Sequence, residues 1–213
     1  MEPTRTRVRD NRDIGPQTVA LDLDTPDGFD ARPGQFVKLS LDIDGEQRSR
    51  FYTLSSPAVE DAFEVTVSVD PDGDVAPYLA ELDADDAVTM TGPFGNAYYE
   101  DEPRTTVLAG GPGVGPAVGI AERTLDDGGE TAVIYRDDHP VHEDRLDTLR
   151  ESGAVVHVVS EDADLTDPTA EALAGDGDEQ VFVYGFADFL DAATDALAAA
   201  GGDPDRAKIE NFG

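Results

Sequence analysis

The sequence contains no cysteine and no tryptophan among its 213 residues. The absence of cysteine excludes a disulfide framework, a zinc ribbon, a thiolate nucleophile and a cysteine-ligated iron–sulfur cluster supplied by this chain. No apolar run approaches the roughly 20 residues that a membrane helix requires. Residues 1–13 alternate Arg, Asp and Thr, which differs from the apolar core of a secretory signal. We therefore expect the protein to work in the cytoplasm.

Positive charge is scarce as well. The chain has 15 Lys and Arg residues against 47 Asp and Glu residues, a formal net charge of -32, and its only lysines are Lys38 and Lys208. Binding to nucleic acid or to an anionic membrane surface depends on basic patches, so neither partner is expected. An acidic, lysine-poor composition is typical of a protein from a high-salt cell. There, a Debye length of roughly 3 Å at 1 M salt screens the self-repulsion of the chain.

The first half of the chain contains short segments in which apolar and polar residues alternate. This regular patterning argues against the disorder that a high charge would otherwise suggest. Alternation bounded by turn sequences such as Thr25–Gly28 predicts strands with one buried face. We predict an N-terminal domain at residues 1–100 that forms a six-stranded antiparallel barrel with one short helix at residues 74–82. The predicted strands are residues 4–9, 17–23, 35–41, 48–54, 63–69 and 87–91.

Beyond residue 101 the pattern changes to continuous apolar runs separated by segments of helical period. β-branched runs between helices indicate strands buried on both faces, as in a parallel sheet. We predict a C-terminal parallel α/β domain at residues 101–213, whose ligands bind beyond the carboxyl ends of its strands. The predicted strands are residues 106–109, 132–135, 154–159 and 181–184, and the predicted helices are residues 114–125, 143–151, 168–173 and 187–200.

One predicted barrel strand carries the segment Arg50-Phe-Tyr-Thr53. Residues two apart on a strand face the same side, so the guanidinium of Arg50 and the ring of Tyr52 can serve one ligand. The alternative is a strand with an exposed charge and a half-buried tyrosine.

A glycine-rich segment, Val107-Leu-Ala-Gly-Gly-Pro-Gly-Val-Gly-Pro116, lies between a predicted strand and a predicted helix. Glycines at such a turn let the backbone approach a diphosphate at a helix N-terminus. Pro116 breaks the spacing of the G-x-G-x-x-G dinucleotide motif. A tight glycine-rich turn without a ligand is the alternative.

In their order along the whole chain, these segments resemble the ferredoxin–NADP reductase family. The resemblance implies a flavin-binding barrel, a nucleotide-binding α/β domain, FAD as cofactor with FMN as the alternative flavin, and NAD(P)H as co-substrate. The matching motifs are R-x-Y-[ST] at residues 50–53, a glycine before a helix start at residues 73–76, a G-P-[FY]-G turn at residues 92–95, the glycine-rich segment, the strand–turn–helix segment 181–190 and an E-x-F motif at residues 210–212.

In the barrel half, the resemblance implies that Arg50 pairs with the FAD pyrophosphate. It also implies that Tyr52 lies against the isoalloxazine ring and that Thr53 hydrogen-bonds near flavin N5. Ala76 stands where the family usually has Ser or Thr, at a helix start whose N–H groups would face the pyrophosphate. The other flavin-contacting residues implied here are Phe51, Val67, Ser68, Val69, Gly73, Asp74 and Val75.

In the second half, the resemblance implies a nicotinamide-nucleotide site. Pro112 stands where the family usually has Thr, Tyr184 replaces a Cys close to the nicotinamide, and Phe186 replaces Pro. Arg136 favours a 2′-phosphate on the nucleotide, whereas the two aspartates that follow it favour a free 2′-hydroxyl. The other nucleotide-contacting residues implied are Gly111, Gly113, Val114, Gly115, Pro116 and Gly185.

The implied catalytic residues are Thr53, Tyr184, Glu210 and Phe212, and the last two would lie near the reactive face of the flavin. Hydride would pass from NAD(P)H to flavin N5, and electrons would then pass to a separate acceptor such as an iron–sulfur protein. A free-flavin reductase and a non-catalytic FAD-binding redox subunit or sensor stay open as alternatives. The three histidines lack metal-ligand spacing, so no metal site is expected.

Overall fold

The computed structural model describes residues 2–175 and 177–213, which form one antiparallel and one parallel sheet. The strands of the antiparallel sheet are β1 (Thr4–Gly15), β2 (Thr18–Asp24), β3 (Phe36–Ile43), β4 (Glu46–Thr53), β5 (Ala62–Ser68) and β6 (Ala87–Phe94). Their spatial order is β4-β3-β6-β1-β2-β5. A bridge between Leu54 and Val65 joins the two ends of the sheet and closes it into a barrel.

Alternation along β5 shows how the barrel is built. Phe63, Val65 and Val67 point into the barrel and are almost completely buried. Glu64 and Thr66 point to the opposite face. Both are nevertheless buried, because the second half of the chain packs against this face of the barrel.

The parallel sheet contains β7 (Arg104–Gly110), β8 (Glu130–Arg136), β9 (Val155–Val159), β10 (Glu179–Gly185) and β11 (Lys208–Asn211), in the spatial order β11-β10-β7-β8-β9. The chain proceeds outward from β7 to β9 and then returns to the other side of β7, so the topological switch point lies between β7 and β10. The helices are α1 (Ala76–Ala80), between β5 and β6, and α2 (Val114–Asp126), α3 (Glu143–Glu151), α4 (Thr166–Ala172) and α5 (Ala187–Ala199) around the parallel sheet.

Helices on both faces of the parallel sheet explain its continuous apolar runs. Val107 and Ala109 belong to one core cluster, and Leu108 between them belongs to another. The predicted fold class, an antiparallel barrel followed by a parallel α/β unit, is confirmed. In the described part of the chain, no helix has the length and apolarity needed to cross a bilayer.

Three differences from the predicted elements are larger than small shifts of the ends. β1 continues to Gly15 as a long hairpin arm paired with β2. Helix α1 contains only five residues, 76–80, instead of the nine predicted. β11 was not predicted, because four residues are too few for a periodic signal; it pairs with residues 182–185 of β10. The last barrel strand ends at Phe94 and β7 begins at Arg104, while the exact domain boundary stays a prediction.

An ionic cluster joins the barrel to the α/β unit. Arg145 of α3 is bonded to Glu64 of the barrel at 2.8 Å, to both carboxylate oxygens of Glu122 on α2 at 2.7 Å, and to the backbone oxygen of Ser55 at 2.6 Å. Glu64 also accepts a hydrogen bond from Arg12. Opposite charges in contact offset the desolvation of this interface. Arg145 thus connects helices α2 and α3 to the barrel.

Candidate functional site

A cavity of about 690 Å³ opens between the barrel and the carboxyl ends of the parallel strands. Residues 50–53 of β4 and the start of α1 line the barrel side. Pro112, Phe186 and residues 210–213 line the other side. Each of the two sheets therefore supplies one wall.

Strand β4 brings four consecutive predicted residues to the cavity: Arg50, Phe51, Tyr52 and Thr53. Phe51 is 62% exposed, and Phe36 and Phe94 hold its ring in edge-on contacts with centroids 5.5 and 6.2 Å away. Such contacts fix the orientation of an exposed ring. The result is an aromatic surface beside a guanidinium group.

The Arg50 guanidinium is paired with an acid inside this cavity. Its Nη2 lies 2.6 Å from Oδ1 of Asp74, and its Nη1 donates to the backbone oxygen of Ser49 at 2.9 Å. Arg48 approaches the other oxygen of Asp74 at 3.8 Å. Asp74 is thus held between two guanidinium groups.

The start of α1 offers backbone donors to the cavity. Among the residues that the structure describes, the N–H groups of Asp74, Val75 and Ala76 have no acceptor. Val75 makes no side-chain cap and Ala76 has no hydroxyl, so the capping that usually satisfies such donors is missing. Free donors beside a guanidinium group suit an anion such as a phosphate.

The floor of the cavity contains a chain of hydrogen-bonded side chains. Thr66 lines the cavity, and its Oγ1 lies 2.7 Å from Oγ of Ser55 and 2.8 Å from Nε2 of His142. Burial, together with the positive charges of Arg145 and Arg12, lowers the pKa of His142 to about 3. The imidazole is therefore neutral at neutral pH.

The C-terminal residues form the opposite wall. β11 carries Glu210 into the cavity, and burial raises the pKa of this carboxyl group. The backbone N–H of Phe212 donates to the oxygen of Gly185 at 3.0 Å. The ring of Phe212 contacts that of Phe186 edge-on, with centroids 6.1 Å apart. Phe186 is 52% exposed, so this wall is also aromatic.

The glycine-rich segment lies at the switch point, directly after β7, and much of its glycine content serves packing. A Cβ at Gly113 would lie 2.3 Å from the backbone oxygen of Tyr184, and one at Gly110 would lie 2.4 Å from the Phe189 ring. A Cβ at Gly115 would lie 2.6 Å from the hydroxyls on the cavity floor. Gly111 has open space and a φ of 54°, so its turn conformation is what favours glycine there.

Several predicted residues do not line the cavity. Tyr184 is fully buried, and its hydroxyl donates to the backbone oxygen of Ala97. Val67 belongs to the barrel core, and Val69 lines a separate cleft. Arg136 lies over the Phe189 ring at 4.9 Å. The other predicted residues outside the cavity are Gly111, Gly113, Val114, Gly115, Pro116 and Gly185, whereas Ser68, Gly73, Asp74, Val75 and Ala76 line it.

The sequence reasoning missed some lining residues, among them Phe36, Thr66 and Asp70. Thr66 could have been found, because it shares a strand face with the predicted Ser68. Phe36 comes from β3, and no local signal indicates which neighbouring strand supports Phe51. In the described ranges, no group of three or more His, Asp or Glu residues is placed to hold a metal ion.

The cavity fits a dinucleotide flavin. Its volume lies within the usual range for ligand pockets, and most of its lining is apolar or aromatic. Arg50 and the three free N–H groups at the start of α1 are the donors that a diphosphate needs. Phe51 and Tyr52 offer ring surfaces for a flat heterocycle.

Comparison with known proteins agrees with this assignment. Residues 6–99 match the family model of the oxidoreductase FAD-binding domain. The glycine betaine monooxygenase reductase subunit of Chromohalobacter salexigens is 39% identical over 114 residues, which is 52% of this chain and 31% of that protein. The ferredoxin reductase component of 3-ketosteroid-9-alpha-monooxygenase from Mycolicibacterium smegmatis is 32% identical over 198 residues, 84% of this chain and 55% of that protein. The chain thus spans from about a third to about half of these relatives.

Two solved structures cover nearly the whole chain. A ferredoxin NADP⁺ reductase from Neisseria gonorrhoeae with bound FAD and NADP superposes with a TM-score of 0.82 at 16% identity, covering 100% of both chains. The FAD/NAD binding domain of a nitric oxide dioxygenase from Vibrio cholerae superposes with a TM-score of 0.83 at 20% identity, covering 98% of each chain. At such low identity these likenesses establish the fold.

Proposed function

Because this chain carries the FAD-binding oxidoreductase domain and has the two-domain fold of the ferredoxin–NADP reductase family, we propose that it is an NAD(P)H-dependent flavoprotein reductase. Electrons leave it for a separate acceptor protein. The observation that carries the proposal is the cavity with one wall from each sheet. Its barrel wall has donors and rings for a flavin, and its opposite wall lies at the switch point of a parallel sheet.

The barrel residues hold the flavin. When bound, FAD supplies the redox chemistry, accepting hydride from a nicotinamide and passing electrons onward. Arg50 and the N–H groups at the start of α1 bind the diphosphate, and Phe51 and Tyr52 hold the rings. Thr53 places a largely buried hydroxyl on the same wall.

The opposite wall excludes water and carries one half-buried carboxyl group. Phe186 and Phe212 cover the side of the cavity that faces the switch point. Glu210 keeps its proton to a higher pH than an exposed glutamate, because burial disfavours its charged form.

The nicotinamide nucleotide binds across the carboxyl ends of β7 and β8. Gly111 and Pro112 place the backbone turn before α2 beside the cavity, where a helix N-terminus favours phosphate. Within the described residues, Arg136 makes no ion pair with a carboxylate, so its charge is available to the nucleotide. Glu210, Phe186 and Phe212 lie on the route between the two sites.

The acceptor is a separate electron-transfer protein. Relatives bear the names of reductase subunits or components of monooxygenases and dioxygenases. This chain has no cysteine with which to hold an iron–sulfur cluster, so an acceptor of that kind is another polypeptide or domain. The acidic composition supports the further proposal that the protein works in the cytoplasm of a high-salt cell.

An anaerobic titration tests the function. The protein is purified in molar KCl and loaded with FAD, and NADH or NADPH is then added while the flavin absorbance is followed. We expect stoichiometric bleaching by at least one of the two nucleotides, and the preferred one identifies the co-substrate. A flavin that stays oxidised under both would contradict a reductase and favour a redox subunit or sensor.

Gel filtration before the titration separates the remaining alternative. Comigration of flavin with the protein identifies a bound cofactor, and acid release followed by chromatography distinguishes FAD from FMN. Loss of all flavin on the column, combined with rapid reduction of added free flavin by NAD(P)H, would favour a free-flavin reductase instead.

A further inference from the structure

The cation proposed to bind the flavin diphosphate already has an acidic partner within the protein. Oδ1 of Asp74 lies 2.6 Å from Nη2 of Arg50, and Oδ2 lies 3.8 Å from Nη1 of Arg48. Both Arg50 and Asp74 line the cavity. The Asp74 carboxylate is therefore already paired with the guanidinium group that a diphosphate would bind.

A second feature brings the Asp74 carboxylate close to any phosphate that binds here. Asp74 is the first of the three residues whose N–H groups lack an acceptor at the start of α1. A phosphate that accepts these hydrogen bonds comes close to the Asp74 side chain as well as to Arg50. Asp70 also lines the cavity, so the surroundings of the two arginines are nearly neutral rather than positive.

Resting on the proposed function, we propose that Asp74 is an internal competitor of the flavin phosphates and sets the affinity of this chain for flavin. A diphosphate that pairs with Arg50 must displace Asp74 and then remain beside it as a like charge. The side chains of Arg50 and Asp74 are 57% and 35% exposed, so the pair can open without unpacking the core. Asp74 thereby weakens the binding of the flavin phosphates, because this carboxylate competes with them for Arg50 and repels them once they are bound.

Two possible roles of Asp74 predict opposite changes in flavin affinity when its charge is removed. If Asp74 competes with the phosphates, its neutralisation tightens flavin binding. If Asp74 instead holds Arg50 in the conformation that binds the diphosphate, its neutralisation weakens binding. Arg50 already has a second contact, to the backbone oxygen of Ser49, that keeps it at the cavity without the acid. The geometry points to competition.

The test compares Asp74→Asn with the matched control Asp72→Asn, which removes the same charge at an exposed residue outside the cavity. FAD, FMN and riboflavin are titrated into flavin-free protein in molar KCl, and binding is followed by flavin fluorescence. For Asp74→Asn we expect about two- to fivefold tighter binding of FAD and FMN, in line with the size of exposed charge interactions. Riboflavin, which has no phosphate, should bind with unchanged affinity. Asp72→Asn should match the wild type for all three.

A double-mutant cycle identifies the partner. In an Arg50→Ala background, Asp74→Asn should increase the affinity for FAD by less than twofold, because the competition acts through Arg50. Asp74→Ala serves as a second neutral variant, with thermal melting of each protein as a check on folding. Unchanged or weaker FAD binding by both folded Asp74 variants, or equal tightening of riboflavin, would overturn the proposal.

Failure of this proposal is distinguishable from failure of the proposed function. Wild-type protein that binds FAD and is bleached by NAD(P)H, with Asp74 variants that bind no tighter, refutes the competitor and leaves the reductase standing. Absence of saturable FAD binding in the wild type and in every variant refutes both.

Discussion

Arg50 is the residue whose loss tests the flavin site most directly. Its guanidinium can bind two phosphate oxygens at once, a geometry that no other side chain lining the cavity offers. We expect Arg50→Ala to lower FAD affinity by about tenfold to a hundredfold, which corresponds to the loss of one charge-assisted contact. The measurement is the flavin retained through gel filtration, followed by titration with FAD.

The control for this variant is Arg5→Ala. Arg5 is an exposed arginine on β1, outside the cavity, so this change alters the total charge equally. Similar losses of flavin in both variants would mean that total charge, and not the local contact, governs binding. Unchanged occupancy in Arg50→Ala would contradict the assignment of the barrel wall.

His142 should make the protein sensitive to acid. Burial lowers the pKa of its imidazole in the folded state to about 3, well below the ordinary value of 6.5. The unfolded chain therefore takes up a proton below pH 6.5 while the folded chain does not. The stabilising contribution of the neutral histidine is therefore fully present above pH 6.5 and is lost progressively below it. We expect the free energy of unfolding to fall by up to about 1.4 kcal/mol per pH unit as the pH drops from 6.5 to 5.

The variant His142→Asn isolates this effect. Asn cannot take a proton in this range, and it tolerates the left-handed backbone of residue 142, where φ is 57°. Urea unfolding at pH 7, 6 and 5 in constant molar KCl should give a shallower pH dependence for this variant than for the wild type. His139→Asn, at an exposed position three residues earlier, is the control. Equal slopes in all three proteins would show that the imidazole is not buried as described.

At the scale of elements, the contact between α2 and the barrel decides how the two halves pack. A Cβ at Gly119 would lie 2.8 Å from the backbone oxygen of Ser55, which cannot swing aside as a side chain can. Alanine normally stabilises a helix relative to glycine. Here we expect Gly119→Ala to lower the free energy of unfolding by about 1–3 kcal/mol through overpacking.

Thermal melting in molar KCl measures the effect of Gly119→Ala. A lower melting temperature is expected, together with weaker flavin retention because the cavity has one wall on each side of this interface. A melting temperature equal to or above that of the wild type would show that α2 can move away from the barrel without cost.

Much of this fold could be predicted because its elements carry strong local patterns. The alternation along β5 predicts a barrel strand whose two faces differ in polarity, and the continuous apolar run of β7 predicts a strand buried between helices. β11 has only four residues and gains its order by pairing with β10, which is a long-range effect. Local sequence therefore could not show it, although this strand carries Glu210 to the cavity.

The site was predictable to a different degree in its two halves. The segment 50–53 and the start of α1 are contiguous in sequence, and the structure brings both to one cavity. The glycine-rich segment is ambiguous, because a glycine that touches a ligand and one that touches another backbone look the same in sequence. Gly113 and Gly115 have packing partners in the structure. The partner of Arg50 also depends on folding, since Asp74 is 24 positions away.

At the scale of the whole molecule, the net charge of -32 means that carboxylates far outnumber the cations with which they can pair. Nine of the 13 arginines, with Lys208, form ion pairs with carboxylates in the described part of the chain. Arg145 pairs with Glu64 of the barrel and Glu122 of α2 and so bridges the two halves. Most carboxylates in the described part of the chain therefore have no cation as partner and repel one another.

Salt should stabilise this molecule mainly by screening that repulsion. The Debye length falls from about 10 Å at 0.1 M to about 3 Å at 1 M, which is shorter than the spacing of most surface charges. We expect the melting temperature to rise steeply between 0.1 and 1 M KCl and to level off above that concentration. Neutralising two exposed acids, Glu161→Gln with Asp162→Asn, should raise the melting temperature in 0.1 M KCl more than in 2 M KCl. A melting temperature independent of KCl would mean that the ion pairs of Arg145 and the other arginines already compensate the charge, and that the acidity has another origin.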